Sequence, residues 1–243
     1  MLNGKTALVT GGSRGLGRDI VENFLRNGCK VAFTYLNSEA QAKELESKYR
    51  ENILAIKADA SDYNKAFESV DKTLKKFGRL DILVNNVGMA NDKPIWKMDK
   101  ELWDYGIKNT LNSCFNYTRA VVDTFISQRK GKIINIGSIN GLRGREGSVS
   151  YCSAKAGMEG FTKTVAKELG QYNININIVA PGYIDTDGQV DTSELIKKLV
   201  LDECAIRKLT KPEEVAGLVE FLASDKSDNI TGTIIKIDCG QYI

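Results

Sequence analysis

The stretch Thr6-Ala7-Leu8-Val9-Thr10-Gly11-Gly12-Ser13-Arg14-Gly15-Leu16-Gly17 decides how the rest of the chain is read. Thr6–Thr10 is a short apolar run bounded by glycine, the pattern of a buried strand. Leu16, Ile20, Val21, Phe24 and Leu25 then recur at helical spacing until Gly28 stops them. The glycine cluster therefore joins a strand to a helix N-terminus. At such a joint glycines let the backbone approach a pyrophosphate, and the helix end offers free N–H groups and a positive dipole. A tight turn with no ligand is the alternative. The strand before and the helix after favour a nucleotide-binding loop over Gly11–Gly17.

Outward from that loop, strands and helices alternate. Lys30–Tyr35 reads as a second strand, followed by Leu36-Asn37-Ser38. A cofactor with a free ribose 2′-hydroxyl usually meets an acid at this place. Here none occurs before Glu39, and Arg14 is placed to reach a 2′-phosphate, so the pattern favours NADP over NAD. Ser38 is also a candidate side-chain cap for the next helix. Strands are expected at Ile53–Lys57, Leu80–Val84, Lys132–Ile136, Ile174–Val179 and Thr233–Ile237. Helices are expected at Asp62–Phe77, Lys100–Ile126 and Tyr151–Leu169, with another opened by Pro212. The stretch Tyr183–Lys208 is polar and mobile-looking. With no repeat and no linker, this order means one doubly wound, mainly parallel α/β sheet of about seven strands, a single domain over residues 1–243.

Composition removes whole classes of chemistry. The chain has no histidine, which excludes Ser-His-Asp catalysis and histidine-held metals. Its five cysteines (Cys29, Cys114, Cys152, Cys204, Cys239) are scattered, with no CxxC pair, so neither a disulfide framework nor a metal site is expected. Cys152 reads as a small buried filler, with a reactive thiol beside Tyr151 as the alternative. The net charge of +3 is spread out, without a nucleic-acid patch. No apolar run of about 18 residues suggests a membrane span, and the N-terminus enters a strand without a signal-peptide core. A cytoplasmic location is expected.

Proton transfer near neutral pH must then come from a tuned tyrosine, lysine, cysteine or carboxylate. Ser138-INGLRGREGSVS-Tyr151-CSA-Lys155 supplies a hydroxyl, a phenol and an amine. On a helix, Tyr151 and Lys155 share a face, and an ammonium beside a phenol favours the phenolate. An ordinary surface pair is the alternative. The tetrapeptide Asn85-Asn86-Val87-Gly88 and the pair Pro181-Gly182 end strands where such sheets hold ligands, although a plain turn gives the same pattern.

Together, TGGSRGLG (Thr10–Gly17), NNVG (Asn85–Gly88), Ser138 with Tyr151-x-x-x-Lys155, Pro181-Gly182 and ITGTIIKIDCG (Ile230–Gly240) resemble the short-chain dehydrogenase/reductases over essentially the whole chain. The resemblance implies a Rossmann-type fold and hydride transfer between a nicotinamide, NADP(H), and a carbonyl or alcohol carbon. It implies Tyr151 as proton donor, Lys155 lowering its pKa and holding the nicotinamide ribose, and Ser138 orienting the substrate oxygen. Gly11, Ser13, Arg14, Gly15, Leu16 and Gly17 would line the phosphates, with Asn37 and Ser38 toward the adenosine ribose and Asp59 and Ala60 at the adenine. Asn86 and Gly88 would meet the ribose region. Pro181, Gly182, Ile184 and Thr186 would bracket the carboxamide.

This chain departs from the family pattern at Val87, where alanine is usual, and at Cys239, where glycine is usual. Counting seven residues from Trp103 puts Thr110 where the family has an asparagine in its proton relay, with Asn109 adjacent. The nearest resemblance is to the 3-oxoacyl-carrier-protein reductases of fatty acid biosynthesis and to the acetoacetyl-CoA reductases. It implies an acyl-thioester substrate, on CoA or an acyl-carrier protein, and a homotetramer; the apolar and aromatic content of the long helix around Phe115 and of the Tyr151 helix would supply one interface. Arg143, Arg145 and Lys93 are candidates to attract the carrier's phosphates, with simple solvation as the alternative. A reductase of a steroid, sugar or other secondary alcohol is a second reading, and a catalytically weak NADP-binding partner subunit a third.

Overall fold

Every residue of β1 (Thr6–Val9) is buried, as expected of a strand covered by helices on both faces of its sheet. The computed structural model describes residues 1–90, 93–184 and 194–243. The other strands are β2 (Lys30–Tyr35), β3 (Ile53–Lys57), β4 (Ile82–Asn85), β5 (Gly131–Ile136), β6 (Ile174–Pro181) and β7 (Ile234–Ile237). They form one seven-stranded sheet in the order β3-β2-β1-β4-β5-β6-β7, with every pairing parallel. The chain turns from one direction to the other between β1 and β4. In such sheets the crevice at that switch point, outside the strands' carboxyl ends, is where ligands bind.

Alternate side chains of each strand enter opposite core layers. Val9, Val31 and Phe33 point to one layer, with Ile20, Val21 and Phe24 of α1 (Gly15–Arg26) and Val215, Val219 and Leu222 of α9 (Pro212–Ala223). Leu8 and Ala32 point to the other, with Ala66 and Val70 of α3 (Tyr63–Phe77) and Tyr117, Val121 and Phe125 of α5 (Ser113–Gln128). Between β2 and β3 lies α2 (Glu39–Tyr49), which buries Ala42 and Leu45.

The structure changes several expectations. The helix expected over Lys100–Ile126 is interrupted: α4 (Lys100–Ile107) runs into a π-helical turn at Lys108–Asn112 before α5 begins. A π turn leaves no periodic trace in a sequence. A short helix the sequence did not announce, α6 (Ile139–Arg143), precedes α7 (Val149–Leu169). The described end of the polar stretch Tyr183–Lys208 contains α8 (Glu194–Glu203), on which Leu195, Ile196 and Leu199 are exposed. Ser38 occupies the cap position of α2 without capping it by its side chain. Cys152 is half-buried, not a core filler. No helix among the described residues is long and apolar enough to cross a membrane.

Candidate active site

The carboxyl ends of β1, β4, β5 and β6 frame a cleft. Leu16 lines it from α1, Asn86 and Gly88 from beyond β4, and Ile136, Gly137 and Ser138 from the end of β5. Tyr151 and Lys155 enter from α7, and Pro181, Gly182 and Ile184 from the end of β6. The three residues singled out for chemistry thus share one cleft with most of those assigned to a nicotinamide. Thr186 lies outside the described residues.

Helix α7 puts Tyr151 and Lys155 one turn apart, with the lysine Nζ 5.6 Å from the centre of the phenol ring. Lys155 is buried and donates to the carbonyl of Ile136 at 2.5 Å. Among the described residues it forms no ion pair with a carboxylate. Burial pushes its pKa down from 10.5 to about 8. The lysine fits because residue 88 is glycine: a Cβ there would lie 2.9 Å from Nζ. Ser138 is the N-cap of α6, its Oγ accepting from the backbone N–H of Asn140 at 3.1 Å. Accepting there leaves the hydroxyl hydrogen for another acceptor.

The π turn gives Asn109 and Thr110 different surroundings. Thr110 is fully buried, and its Oγ1 accepts from the backbone N–H of Met89 at 3.2 Å. Asn109 turns back along its own helix and donates to the Tyr105 carbonyl at 2.9 Å. The methyl of Thr110 packs toward Gly88: Cγ2 lies 3.8 Å from where a Cβ on Gly88 would sit. Behind Lys155 runs a buried polar row that sequence reasoning missed. Asn85 Nδ2 donates to Asn135 Oδ1 at 2.8 Å and Thr118 Oγ1 at 3.0 Å, and Asn135 Nδ2 donates to Thr162 Oγ1 at 2.9 Å. Cys114 donates to the same Asn135 oxygen at 3.4 Å, and burial pushes its thiol up to about 12. The signal was one asparagine in each of two largely apolar strands, which the register sets side by side.

The glycine loop is shaped for an anion. Arg14, at the N-cap of α1, is extended and makes no side-chain cap, and the first turn holds no acid. The first N–H groups of the helix thus lack a side-chain acceptor. A Cβ on Gly17 would meet the carbonyl oxygen of Gly11 at 2.2 Å, so only glycine lets the helix approach the loop this closely. Asn86 ties β4 to the loop, donating to the Thr10 and Gly11 carbonyls at 2.9 and 3.2 Å. It therefore serves as a brace as well as a wall.

At the end of β2, Ser38 Oγ lies 2.5 Å from Ser13 Oγ, which explains why it does not cap α2. Asn37 and Arg14 are exposed beside it in sequence and loop. Glu39, the first acid after β2, is occupied by Lys43 at 2.8 Å and Lys57 at 3.8 Å. Asp59 is half-buried and accepts from Ser61, and the Ala60 carbonyl accepts from Asn116 at 3.2 Å.

The basic residues expected at the cleft mouth are less free than the sequence suggested. Arg143 pairs with Glu203 at 3.0 Å and also donates to Asn140 at 3.3 Å. Lys93 bridges backbone to backbone with Ser148. Arg145 is exposed. The Glu203 carboxyl is held below its usual range chiefly by the hydrogen bond from Gln241; burial opposes this, and Arg143 adds to the lowering.

This fold and cleft define a nicotinamide-dinucleotide enzyme of the Rossmann type. A family model described as short chain dehydrogenase matches residues 5–196, and the chain belongs to that family. It is 38% identical over 244 residues to the 3-oxoacyl-[acyl-carrier-protein] reductase FabG of Chlamydia muridarum, covering 99% of this chain and 98% of that one. It is likewise 38% identical over 248 residues to the protein of that name from Thermotoga maritima, covering 100% and 99%. Its identity to the acetoacetyl-CoA reductase of Allochromatium vinosum is 35% over 243 residues, covering 98% and 99%.

Proposed function

We propose that this protein uses NADPH to reduce a 3-oxoacyl thioester to the 3-hydroxyacyl thioester. The observation that carries the reading is the shared cleft of Ser138, Tyr151, Lys155 and the Gly182 turn. The names borne by the full-length relatives supply the substrate class.

The nicotinamide, when bound, supplies the hydride for the 3-oxo carbon. Ser138 donates its free hydroxyl hydrogen to the carbonyl oxygen and fixes that oxygen beside Tyr151. Tyr151 passes its phenolic proton to the oxygen as negative charge develops there. Lys155, with its pKa near 8, is mostly an ammonium at neutral pH. Its charge stabilises the phenolate left behind. The Ile136 carbonyl holds the ammonium in place, while Thr110 steadies the 86–89 loop through the Met89 N–H.

Cofactor choice follows from charge. The single acid near the end of β2, Glu39, is neutralised by two lysines. The Ser13–Ser38 hydroxyl pair and the exposed Arg14 remain to receive a 2′-phosphate. The protein acts as one domain in the cytoplasm on acyl groups carried by CoA or an acyl-carrier protein. The exposed Tyr63 and Phe115 cluster with the half-buried Phe67 on α3 and α5, with Arg119 over Phe67, and this face supports assembly as a homotetramer.

Steady-state NADPH oxidation tests the reading, with acetoacetyl-CoA set against free cyclic ketones and sugars. The expected result is turnover of the thioester with NADPH above NADH, lost in Tyr151→Phe. Preference for a free ketone would instead select the secondary-alcohol reading. Equal rates for wild type and Tyr151→Phe on every carbonyl would leave the non-catalytic partner.

A further inference from the structure

The cleft has two walls, and a line of side chains outside it joins them. One wall is Ser138 with the helix it caps, α6. The other is the turn after β6, where Gly182 and Ile184 lie. Arg143, the last residue of α6, donates from Nη1 to Glu203 Oε2 at 3.0 Å. Glu203 is the last residue of α8. Gln241 Nε2 donates to that same carboxylate oxygen at 2.9 Å, while Gln241 Oε1 accepts from the backbone N–H of Tyr183 at 3.0 Å. One primary amide therefore holds the Gly182 wall with its oxygen and the α6–α8 side with its nitrogen.

The chain is built to hold that amide in place. Gln241 is buried, and its backbone N–H donates to the Asp238 carbonyl at 2.9 Å. The Asp238 carboxylate accepts from the N–H groups of Gly240 and Tyr242, which closes the turn around Gln241. Residue 182 has to be glycine for the amide to reach: a Cβ there would lie 2.7 Å from Gln241 Oε1 and 2.8 Å from Asp238 Cβ. The Arg143–Glu203 pair, by contrast, is part-exposed, at 25% and 50% for the two side chains. As an ion pair it contributes little. Its value lies in giving the amide nitrogen a fixed acceptor.

We propose that Gln241, with Glu203 and Arg143, is a positioning device that sets the spacing between the Ser138 wall and the Gly182 wall. That spacing decides how a carbonyl held at Ser138 meets the nicotinamide end of the cofactor. The identity of the bound molecules rests on the reductase reading; the clamp itself rests on these contacts alone. A displacement of about an ångström in such a site lowers turnover by roughly two orders of magnitude. Gln241 touches neither reactant in this scheme, so it acts through the walls it spaces.

The test uses Gln241→Leu, which keeps the volume and removes both hydrogen bonds, together with Glu203→Ala, Glu203→Gln and the double variant Gln241→Leu/Glu203→Ala. Three quantities are read: kcat and KM with acetoacetyl-CoA, the NADPH dissociation constant from nicotinamide fluorescence, and the melting temperature. Gln241→Leu is expected to lower kcat by about tenfold or more through lost alignment, to weaken NADPH severalfold, and to change the thioester KM little. Glu203→Gln, which still accepts from Gln241, should recover most of what Glu203→Ala loses. The double variant should be no worse than Gln241→Leu alone, because both break one line of contacts. Wild-type kcat and NADPH affinity in Gln241→Leu would overturn the proposal, as would simple addition of the two single losses. Should Gln241→Leu fail to fold, the contrast between Glu203→Ala and Glu203→Gln decides. If the wild type turns over no thioester, the reductase reading falls, and the NADPH dissociation constants still decide the clamp.

Discussion

The two ends of the sheet treat lysine in opposite ways. At the amino end three lysines near the strand starts meet carboxylates: Lys5 and Lys130 share Asp225 at 2.7 and 2.9 Å, and Lys132 meets Asp228 at 2.8 Å. Arg79 grips Asp81 through two hydrogen bonds, and Asp81 in turn accepts from the N–H of Thr6. At the carboxyl end Lys155 is buried like Lys132, and it donates to a neutral carbonyl, that of Ile136. Burial lowers both lysines' pKa, but Asp228 offsets the effect for Lys132, whereas for Lys155 nothing comparable does. The amino end uses charge to fasten strands and loops. The carboxyl end leaves a charge uncompensated, so that it acts on whatever develops negative charge beside it. A buried ammonium without a counter-ion is unfavourable for folding, which is the cost of keeping it available.

The largest expected effect separates chemistry from stability at the carboxyl end. Tyr151→Phe should lower kcat by about two to four orders of magnitude, the usual contribution of a positioned acid or base, with its melting temperature near wild type. Next comes the amino end, where the outcome should reverse. Asp228→Ala strands the Lys132 ammonium with only Asn175 and Ser227 as partners. Denaturant melts should show a loss of about 1–3 kcal/mol, the penalty for an undersatisfied buried group, and kcat should not move. Thr110→Val removes the acceptor of the Met89 N–H while keeping the shape. A loss of about 1–3 kcal/mol in transition-state or folding free energy is expected, with Thr110→Asn restoring kcat.

The smallest effect is at acid pH. Asp225 is held down to about 2 by hydrogen bonds from Lys5 and then Lys130. Its folded pKa lies below the unfolded one, so its contribution is present above about pH 4 and fades as pH falls toward 2. Because the carboxylate is largely exposed, Asp225→Asn should melt only slightly below wild type above about pH 4 and converge with it as pH falls toward 2.

What was legible in the sequence follows the same division. The β2 and β3 strands were readable end to end, because Lys30–Tyr35 and Ile53–Lys57 are apolar runs set off by turn residues. That Ser138, Tyr151 and Lys155 would gather near the glycine loop was readable, because local spacing and strand order place them. The π turn was not, since one extra residue in a helical turn changes a phase without leaving a pattern. Nor was the line Arg143–Glu203–Gln241, whose members meet across 60 and 38 positions of chain. Ser38 was misread for the same reason: its partner Ser13 lies 25 residues back, and tertiary contact overrode the local capping preference. Thr110 could be counted to but not oriented, because only the packing shows its hydroxyl facing Met89 and its methyl near Gly88.

The most direct test of the contrast between the two ends is Lys155→Met, followed by thermal melting and by NADPH oxidation in one set of samples. The folded pKa of about 8 lies below the unfolded value of 10.5, so the folded state releases its proton first as pH rises. The penalty is therefore fully present below pH 8 and relieved between about 8 and 10.5, an effect of about 3 kcal/mol by linkage. The expected result is a variant that melts higher than wild type at pH 7, with the gap narrowing above pH 8, and that has lost turnover. A variant that melts lower at pH 7, or that keeps wild-type turnover, would contradict the account.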